Sequence, residues 1–387
     1  MRPTIPSVLW VYDGSLASAL DHATWLETSA ILNDLGWQVT IATSDLPQDA
    51  DKRIRALYLP RPGAFVLGYV IFHVSLLLRL ATTDIRPDII MFGQTSAPFL
   101  LPLVLVRRFL RRRTPKFVMD VRTLVMTDRT TLRAWLWALM YNFSHELAYW
   151  LADGETAITQ RMAQAAGIPQ RKLLGVWPSG VKVERFTTAV SARRWPGPLD
   201  PLCLVYAGAL YSERNLLALC EAVVNARNEG LDVRVKIVGN GPQKRELEIL
   251  AWGVGPDAIT VCSAVPYSEM PVLLAAAHIG VLPFPDRLCF RVSSPIKLYE
   301  YMAAGLPILA TRVVCHTEVI GNGNYVFWAG DGSAAALTVA IRAAHAMKDE
   351  LRNMGQRAAS AAQDWTWEES AKKLSMALHS LLNRSRP

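Results

Sequence analysis

The chain has 387 residues, of which 51% are hydrophobic and 19% charged, with a formal net charge of +8. This length and composition predict two globular domains, each with its own core. The five cysteines lie in the second half without metal-ligand spacing, which favours reduced core thiols over a disulfide framework or a zinc site. The chain shows no heptad array or short repeat, which excludes coiled-coil and solenoid architectures.

Strand-like and helix-like segments alternate through the first half. The chain opens with the strand "SVLWVYD", the amphipathic helix "ASALDHATWLETSAILNDLG" and the strand "WQVTIAT". This order predicts a parallel sheet. Because the alternation continues through "DIIMFG" and "KFVMDV", residues 1–190 are predicted to form a doubly wound, Rossmann-like α/β domain.

The alternation stops at a turn-rich segment and then starts again. Residues 191–201, "SARRWPGPLDP", contain three prolines and are predicted to be a linker. Strand "LCLVYAG" opens a second Rossmann-like domain over residues 202–387, whose last helix can pack back on the first domain. The sequence therefore predicts an α/β protein of two similar domains that face a central cleft.

One short stretch, "SSPIKLYEYMAAGLPILAT", combines a helix start with two charged residues. Ser294 suits the N-cap and Pro295 the first helical position, which places Lys297 in the first turn. A lysine there opposes the helix dipole unless an anion binds, so a diphosphate is predicted at this end; the alternative is a solvated lysine. Glu300 lies among apolar neighbours, and ribose hydroxyls are suitable partners for it; the alternative is an exposed glutamate.

Several segments, in order along the chain, resemble the retaining glycosyltransferases of family 4, which have the GT-B fold. The similar segments of the second half include "VYAGALYSERNLLALCEAV", "VKIVGNGPQKREL" and "SSPIKLYEYMAAGLPILAT". The first half adds "LETSAILNDLGWQVTIAT" and the region around "GVWPSGVKVERF". The form S-P-x-K-x-x-E-Y-M resembles a subgroup associated with capsule, O-antigen and exopolysaccharide assembly.

The resemblance implies a nucleotide-sugar donor site in the second domain. Arg214 matches the residue that contacts the donor phosphates, and Glu300 matches the residue that holds the ribose. Two positions depart from the family pattern, because Val292 stands where the family has another glutamate and Ala209 where it often has arginine; Lys297 and Arg291 are expected to supply the missing positive charge. The implied donor-binding residues are Gly208, Arg214, Gly239, Asn240, Gly241, Arg291, Ser293, Ser294, Pro295, Ile296, Lys297 and Glu300.

The resemblance implies an acceptor side in the first domain at Gly14, Asp120 and Arg122, although Asp120 can equally be a loop cap. The implied catalytic groups are Arg214, Lys297 and Asp120. In this family, retention is attributed to attack from the face of the leaving phosphate, which needs no protein nucleophile. We expect neither a cofactor nor a catalytic metal.

Two segments of the first half suggest a membrane surface as a partner. Residues 64–78 are apolar but short for a span, and a buried helix is the alternative. Residues 99–116 join an apolar helix to clustered arginines, which is typical of a segment that faces anionic lipids; a solvated basic face is the alternative. Trp135, Trp137 and Trp150 follow, and tryptophan favours that interface. Nucleic acid is not expected, because the aromatic interleaving of single-strand binders is missing.

The sequence thus predicts a hexosyltransferase that uses a nucleotide diphosphate sugar and a lipid-linked or polysaccharide acceptor in cell-surface glycan synthesis. We expect it in the cytoplasm, peripheral on the inner face of the cell membrane, since the chain opens without a leader-like segment. Two alternatives remain at this stage. One is a nucleotide-sugar 2-epimerase of the same fold, and the other is a non-catalytic, nucleotide-binding partner of a glycan assembly complex.

Overall fold

The structure is a computed structural model that describes residues 5–17, 22–46, 48, 50–63, 65–112, 115–124 and 132–384; the side chains of 65, 132–134, 136 and 137 are not described. The chain divides into two compact units. The first unit comprises Met1–Pro178 with Trp367–Pro387, and the second is Ser179–Thr366.

The first unit is built on a parallel sheet of seven strands in the order β3-β2-β1-β4-β5-β6-β7. Its strands are β1 (Ser7–Val11), β2 (Gln38–Thr43), β3 (Arg55–Tyr58), β4 (Ile89–Phe92), β5 (Lys116–Val121), β6 (Gly154–Ala157) and β7 (Leu173–Val176). Its helices are α1 (His22–Asp34), α2 (Phe65–Thr82), α3 (Ala97–Phe109), α4 (Leu132–Leu151), α5 (Gln160–Ala165) and the C-terminal α15 (Trp367–Asn383). The strand order reverses between β1 and β4, which is where ligands bind in such sheets.

The C-terminal helix completes the core of the first unit. It packs against α1 and β7. Leu374, Leu378 and Leu381 of this helix join a buried cluster with Trp10 and Trp177. The indole Nε1 of Trp37 donates a hydrogen bond of 2.8 Å to the Ser375 hydroxyl.

The second unit repeats the architecture with six parallel strands in the order β10-β9-β8-β11-β12-β13. Its strands are β8 (Leu202–Ala207), β9 (Val233–Val238), β10 (Ile259–Cys262), β11 (Ile279–Leu282), β12 (Ile308–Thr311) and β13 (Val326–Ala329). Its helices are α6 (Val183–Ala192), α7 (Leu216–Asn228), α8 (Lys244–Val254), α9 (Met270–Ala275), α10 (Leu288–Arg291), α11 (Ile296–Ala303), α12 (Val314–Ile320), α13 (Ala334–Ala346) and α14 (Leu351–Ala361).

The two units divide at a different point from the boundary expected at residue 190. Helix α6 and the predicted linker at 191–201 belong to the second unit, because α6 packs on α9 and α11. The buried guanidinium of Arg193 donates hydrogen bonds to the carbonyls of Leu274, Ala277, Ala304 and Gly305. The composition of the segment indicates its turns correctly, but these bonds hold its start firmly within the second unit.

A glutamate lies fully buried in the sheet of the first unit. Glu155 is in β6, with 0% of its surface exposed, and neither carboxylate oxygen has a hydrogen-bond partner among the described residues. Burial raises the pKa of Glu155 to about 7, against a smaller opposing effect of Lys172. The Lys172 ammonium is itself bound to the carbonyls of Tyr149 and Ala152. The folded unit therefore favours the protonated form of Glu155.

This burial predicts that the first unit loses stability as the pH rises. Glu155 has a pKa of about 7 when folded and an ordinary value of 4.5, so between these values the folded state binds the extra proton. The free energy of unfolding should fall by up to about 3 kcal/mol across this window, and Glu155→Gln should remove that fall.

The measurement is urea denaturation of both proteins at about pH 5 and about pH 8, on either side of that window. Replacing the exposed Glu221 by Gln is the matched control and should leave the pH dependence unchanged. Equal pH dependence in the wild type and Glu155→Gln would contradict the assignment.

Candidate functional site

The predicted donor residues of the second unit gather at one edge of its sheet. Gly208 follows β8, residues 239–241 follow β9, and residues 283–300 follow β11. These are the carboxyl ends of three adjacent parallel strands, and β8 and β11 flank the point where the strand order reverses. In open α/β sheets this edge is where ligands bind.

The loops after β8 and β9 are held together by backbone hydrogen bonds. The amide of Leu210 donates to the carbonyl of Asn240 at 2.9 Å, and the amide of Gln243 donates to the carbonyl of Leu210 at 3.0 Å. A Cβ atom at Gly239 would lie 1.8 Å from the Gly208 carbonyl oxygen, and one at Gly241 would lie 2.3 Å from that of Leu210. The two glycines are therefore required by the close approach of the loops.

Arg214 ends the short 3₁₀ turn Ser212–Arg214 and is only partly buried. Its guanidinium lies over the rings of Phe284 and Phe290, 5.0 and 5.2 Å from their centroids, and the two rings stack at 4.7 Å. No carboxylate of the described residues forms an ion pair with it. This arrangement supports the cation through its π contacts and leaves its charge available for an anion.

The next residue, Asn215, locks this turn in place. It adopts the left-handed conformation, with φ of 62°, and its side-chain amide donates to the carbonyls of Pro283 at 2.9 Å and Gly332 at 2.6 Å. The loop after β8 is thereby joined to the loop after β11.

Helix α11 brings Lys297 and Glu300 together. The Lys297 Nζ lies 3.1 Å from the Glu300 Oε2, and the two side chains are 24% and 2% exposed. The helix is fixed to the sheet by Tyr301, whose hydroxyl accepts a hydrogen bond of 2.9 Å from the Ala207 amide. Gly280 leaves room for the Tyr301 ring, which would lie 2.4 Å from a Cβ atom there. The carboxylate is thus held inside the unit with one cation beside it.

The start of α11 differs from the sequence prediction. The helix begins at Ile296 and its N-cap is Pro295, so the assignment of Ser294 as N-cap was wrong. The Ser294 hydroxyl is engaged elsewhere, because it accepts from the Ser179 amide at 3.0 Å and pairs with the Tyr299 hydroxyl at 2.9 Å. Lys297 is still in the first turn, where the amides of Ile296 and Lys297 have no acceptor within the helix.

Three positions clarify the departures from the family pattern. The position of the family's further glutamate is occupied here by Val292, which is buried with 3% exposure. The exposed Arg291 forms an ion pair of 2.6 Å with Asp286, which raises the pKa of the arginine and occupies the cation expected to compensate. Ala209 is buried, and its carbonyl accepts from the Tyr206 hydroxyl. Among the replacement cations that were predicted, Lys297 is therefore the better placed.

The residues predicted for the acceptor side lie in the first unit. Asp120, in β5, is buried, and its Oδ1 accepts from the Thr156 hydroxyl at 2.7 Å and the Trp177 indole at 3.0 Å. Burial raises the pKa of Asp120, while Arg122, 3.9 Å away and stacked over the Trp177 ring, lowers it. These bonds favour a structural role for Asp120. The Gly14 carbonyl, after β1, accepts from the amide of Ser44 and the hydroxyl of Thr43.

Sequence reasoning missed the groups that support the site. Asn215, Phe284, Phe290 and Tyr301 were not singled out, although Asn215 directly precedes a helix and was therefore recognisable as a helix-start residue. Within the part of the chain that the structure describes, no group of three or more His, Cys, Asp or Glu is placed to hold a metal ion.

The sequence of the second unit matches a known family. Residues 201–346 match the family model described as Glycosyl transferases group 1. The matched segment is less than half of the 387-residue chain. It contains Arg214, Lys297 and Glu300 together with both glycine loops, so the predicted donor residues lie within the matched domain.

Several curated relatives match at modest identity, and two of them illustrate the likeness. The chain is 26% identical over 220 residues to a D-inositol 3-phosphate glycosyltransferase of Pseudarthrobacter chlorophenolicus, covering 54% of this chain and 51% of that protein. It is 26% identical over 205 residues to a GDP-mannose-dependent alpha-(1-6)-phosphatidylinositol dimannoside mannosyltransferase of Mycobacterium tuberculosis, covering 51% and 50%. The chain spans about half the length of these relatives.

A solved structure resembles the whole chain. Sucrose-phosphate synthase from Thermosynechococcus elongatus superposes with a TM-score of 0.75 at 16% identity, covering 98% of this chain and 100% of that one. At this identity the likeness shows the fold alone. It confirms the predicted GT-B fold with two Rossmann-like α/β domains.

The contact between the glycine loops predicts a strong effect of a single methyl group. Gly239→Ala places a Cβ atom against the Gly208 carbonyl and should destabilise the second unit by about 1–3 kcal/mol or more. Gly253→Ala is the control, because this exposed glycine of α8 has open space at its Cβ position and should gain up to about 1 kcal/mol. Urea denaturation monitored by circular dichroism measures both changes. Equal stabilities of the two variants would show that the loops do not require glycine.

Proposed function

We propose that this protein is a retaining glycosyltransferase that moves a hexose-type sugar from a nucleotide diphosphate sugar to a lipid-linked or polysaccharide acceptor. The observation that carries the proposal is the buried Glu300 beside Lys297 in the first turns of α11, at the carboxyl edge of the sheet. The group 1 domain covers this site. The name of the mycobacterial relative includes both a nucleotide-sugar donor and a lipid acceptor.

The donor would be held by charge at one end and by hydroxyl contacts at the other. The diphosphate would lie against Arg214, Lys297 and the unpaired amides at the start of α11, since helix starts and cations favour anions. The ribose hydroxyls would donate to the Glu300 carboxylate, which then gains the partners that a buried acid requires. Lys297 would turn from Glu300 toward the phosphate as the nucleotide binds.

The same charged groups would promote transfer of the sugar to the acceptor. The acceptor hydroxyl attacks the anomeric carbon from the face of the leaving group, a new carbon–oxygen bond forms, and the bond to the diphosphate breaks. The departing phosphate oxygen receives the proton of the acceptor hydroxyl. Arg214, Lys297 and the helix amides stabilise the charge that develops on that oxygen, so we propose that turnover requires no metal ion.

A non-catalytic nucleotide-binding partner is the alternative with an observation in its favour. Val292 is buried where the family places a further glutamate, which normally touches the transferred sugar. A transfer assay distinguishes the glycosyltransferase from the non-catalytic partner. Incubation with a panel of nucleotide sugars and membrane extract should give transfer with retained anomeric configuration, whereas binding without turnover on every donor would support the partner.

Variants at the two ends of the proposed donor site should have different binding defects. Arg214→Gln should weaken both pyrophosphate and UDP or GDP by about 10- to 100-fold, because a charged hydrogen bond is lost. Glu300→Gln should weaken the nucleotides by a similar factor but should not weaken pyrophosphate, because Arg214 and Lys297 remain and Lys297 loses its competing partner. Calorimetric titration measures these affinities.

The control is Arg342→Gln, in which an exposed arginine that pairs with Glu229 is replaced; its affinities should equal those of the wild type. Unchanged nucleotide binding in Glu300→Gln would remove Glu300 from the site.

We further propose that the first unit docks on an anionic membrane surface at the inner face of the cell membrane. Three of its helices expose apolar side chains, and α3 packs against both α2 and α4. We define the apolar patch as Val66, Val70, Val74 and Leu78 of α2, Leu105, Val106 and Phe109 of α3, and Trp135, Leu139, Met140, Phe143 and Trp150 of α4, all between 37% and 86% exposed. Exposed patches of this kind mark interaction surfaces.

The arginines contribute less to this surface than the sequence indicated. Arg107 is buried and paired with Asp153, and Arg108 packs over the Trp150 ring at 4.3 Å. Arg111 and Arg112 are exposed, and Arg113 lies outside the described residues. The membrane proposal therefore rests mainly on the apolar patch. Within the described ranges, no helix has both the length and the apolar character that a membrane crossing needs.

The patch predicts a charge-sensitive membrane contact. Val74→Glu should reduce sedimentation with phosphatidylglycerol vesicles about tenfold, because it removes an apolar contact worth about 1.5 kcal/mol and adds a like charge. Val272→Glu, at a 74% exposed valine of α9 in the second unit, is the matched control and should sediment like the wild type. Equal losses in both variants would remove the specific role of the patch.

A further inference from the structure

The first unit contains a cavity of about 240 Å³ between α2, α3 and α4. Apolar and aromatic side chains form most of its wall; Val66, Tyr69, Phe99, Met140 and Phe143 are among its lining residues. Concave sites with predominantly apolar and aromatic walls accept apolar guests. An apolar occupant would remove the apolar surface of these walls from water, which is favourable.

One end of the cavity is formed by Thr95, which links it to Asp13 at the edge where the strand order reverses. Thr95, in the turn after β4, lines the cavity, and its hydroxyl donates to the Asp13 Oδ2 at 2.6 Å. Asp13 follows β1, the neighbour of β4 in the sheet. No described residue donates to the Asp13 Oδ1, which leaves a carboxylate oxygen to accept from a ligand hydroxyl.

Behind this end, the polar groups are already satisfied within the chain. His73 is buried, its Nε2 lies 3.0 Å from the Ser96 hydroxyl and its Nδ1 2.8 Å from the Tyr69 carbonyl. The imidazole stacks on Phe99 at 4.3 Å, and burial lowers its pKa, so it forms a neutral backing to the wall. Tyr141 and Ser144 also line the cavity, and the Tyr141 hydroxyl already donates to the Thr123 carbonyl at 2.9 Å. Apolar surface therefore dominates the wall, which disfavours a sugar as the occupant.

The cavity is continuous with the apolar patch. Val66, Met140 and Phe143 line the cavity and are also 58%, 50% and 63% exposed. A hydrocarbon chain at this patch would therefore lie directly beside the cavity.

We infer that this cavity holds a segment of the hydrocarbon chain of a lipid-linked acceptor, with the polar group of that lipid at Asp13 and Thr95. The inference rests on the proposed glycosyltransferase function and selects the lipid-linked acceptor over a polysaccharide. The hydrocarbon fits the apolar walls, and the hydroxyl-bearing head group fits the free carboxylate oxygen. The sheet edge that carries Asp13 is the ligand-binding edge of such a unit.

The experiment uses the full chain and two probes below the micelle concentration, n-octyl β-D-glucopyranoside and methyl β-D-glucopyranoside. Calorimetric titration should show saturable binding of one octyl glucoside per chain and no binding of the methyl compound. Met140→Trp fills the cavity and should weaken octyl glucoside by at least about tenfold, the equivalent of losing about two buried methylene groups.

The matched control is Leu139→Trp, since Leu139 is 53% exposed on the same helix and does not line the cavity. It should bind the probe like the wild type. Equal affinities of Met140→Trp and Leu139→Trp, or no saturable binding to the wild type, would overturn the inference. Titration of UDP and GDP in the same proteins tests the second unit separately, so a failure there would contradict the proposed donor site without altering the cavity result.

Discussion

A carboxylate that is almost fully shielded from water needs a charge or hydrogen-bond donors beside it, and Glu300 has Lys297 at 3.1 Å. The rest of the second unit's edge is arranged so that this pair has a fixed place. Tyr301 ties α11 to the end of β8, and Gly280 makes room for its ring. A pair fixed in this way suits the proposed donor, which carries phosphate at one end and hydroxyls at the other.

At the carboxyl edge of the second unit's sheet, some side chains form the framework of the proposed site, and others remain available to contact a ligand. The glycines of the β9 loop, Asn215 and Ser294 are committed to contacts within the unit. Arg214 is supported by aromatic rings and has no carboxylate partner among the described residues. Because the framework satisfies its own hydrogen bonds, we expect the proposed donor to require little rearrangement beyond the Lys297 side chain. The first unit instead has an apolar patch and an apolar cavity, and Thr95 of the cavity wall donates a hydrogen bond to Asp13.

The sequence was sufficient to predict the features that depend on local residue patterns. Strand–helix alternation was sufficient for both sheets, and the spacing of Lys297 and Glu300 placed them within one turn of each other. Prediction from the sequence failed where a residue far along the chain determines the contacts of a side chain. Ser294 is not an N-cap because Ser179, 115 positions away, uses its hydroxyl. Arg193 holds the predicted linker in the second unit through carbonyls far along the chain, and the pairing of Arg107 with Asp153 removes one arginine from the expected basic surface.

The most direct test of the central claim is a crystal structure of the chain with UDP or GDP bound. We expect the diphosphate within hydrogen-bond distance of the Arg214 guanidinium and the Lys297 ammonium, and the ribose hydroxyls on the Glu300 carboxylate. Separation of Lys297 from Glu300 on binding would be visible in the same map. A nucleotide bound elsewhere, with the Lys297–Glu300 pair unchanged and Arg214 uncontacted, would contradict the proposed donor site.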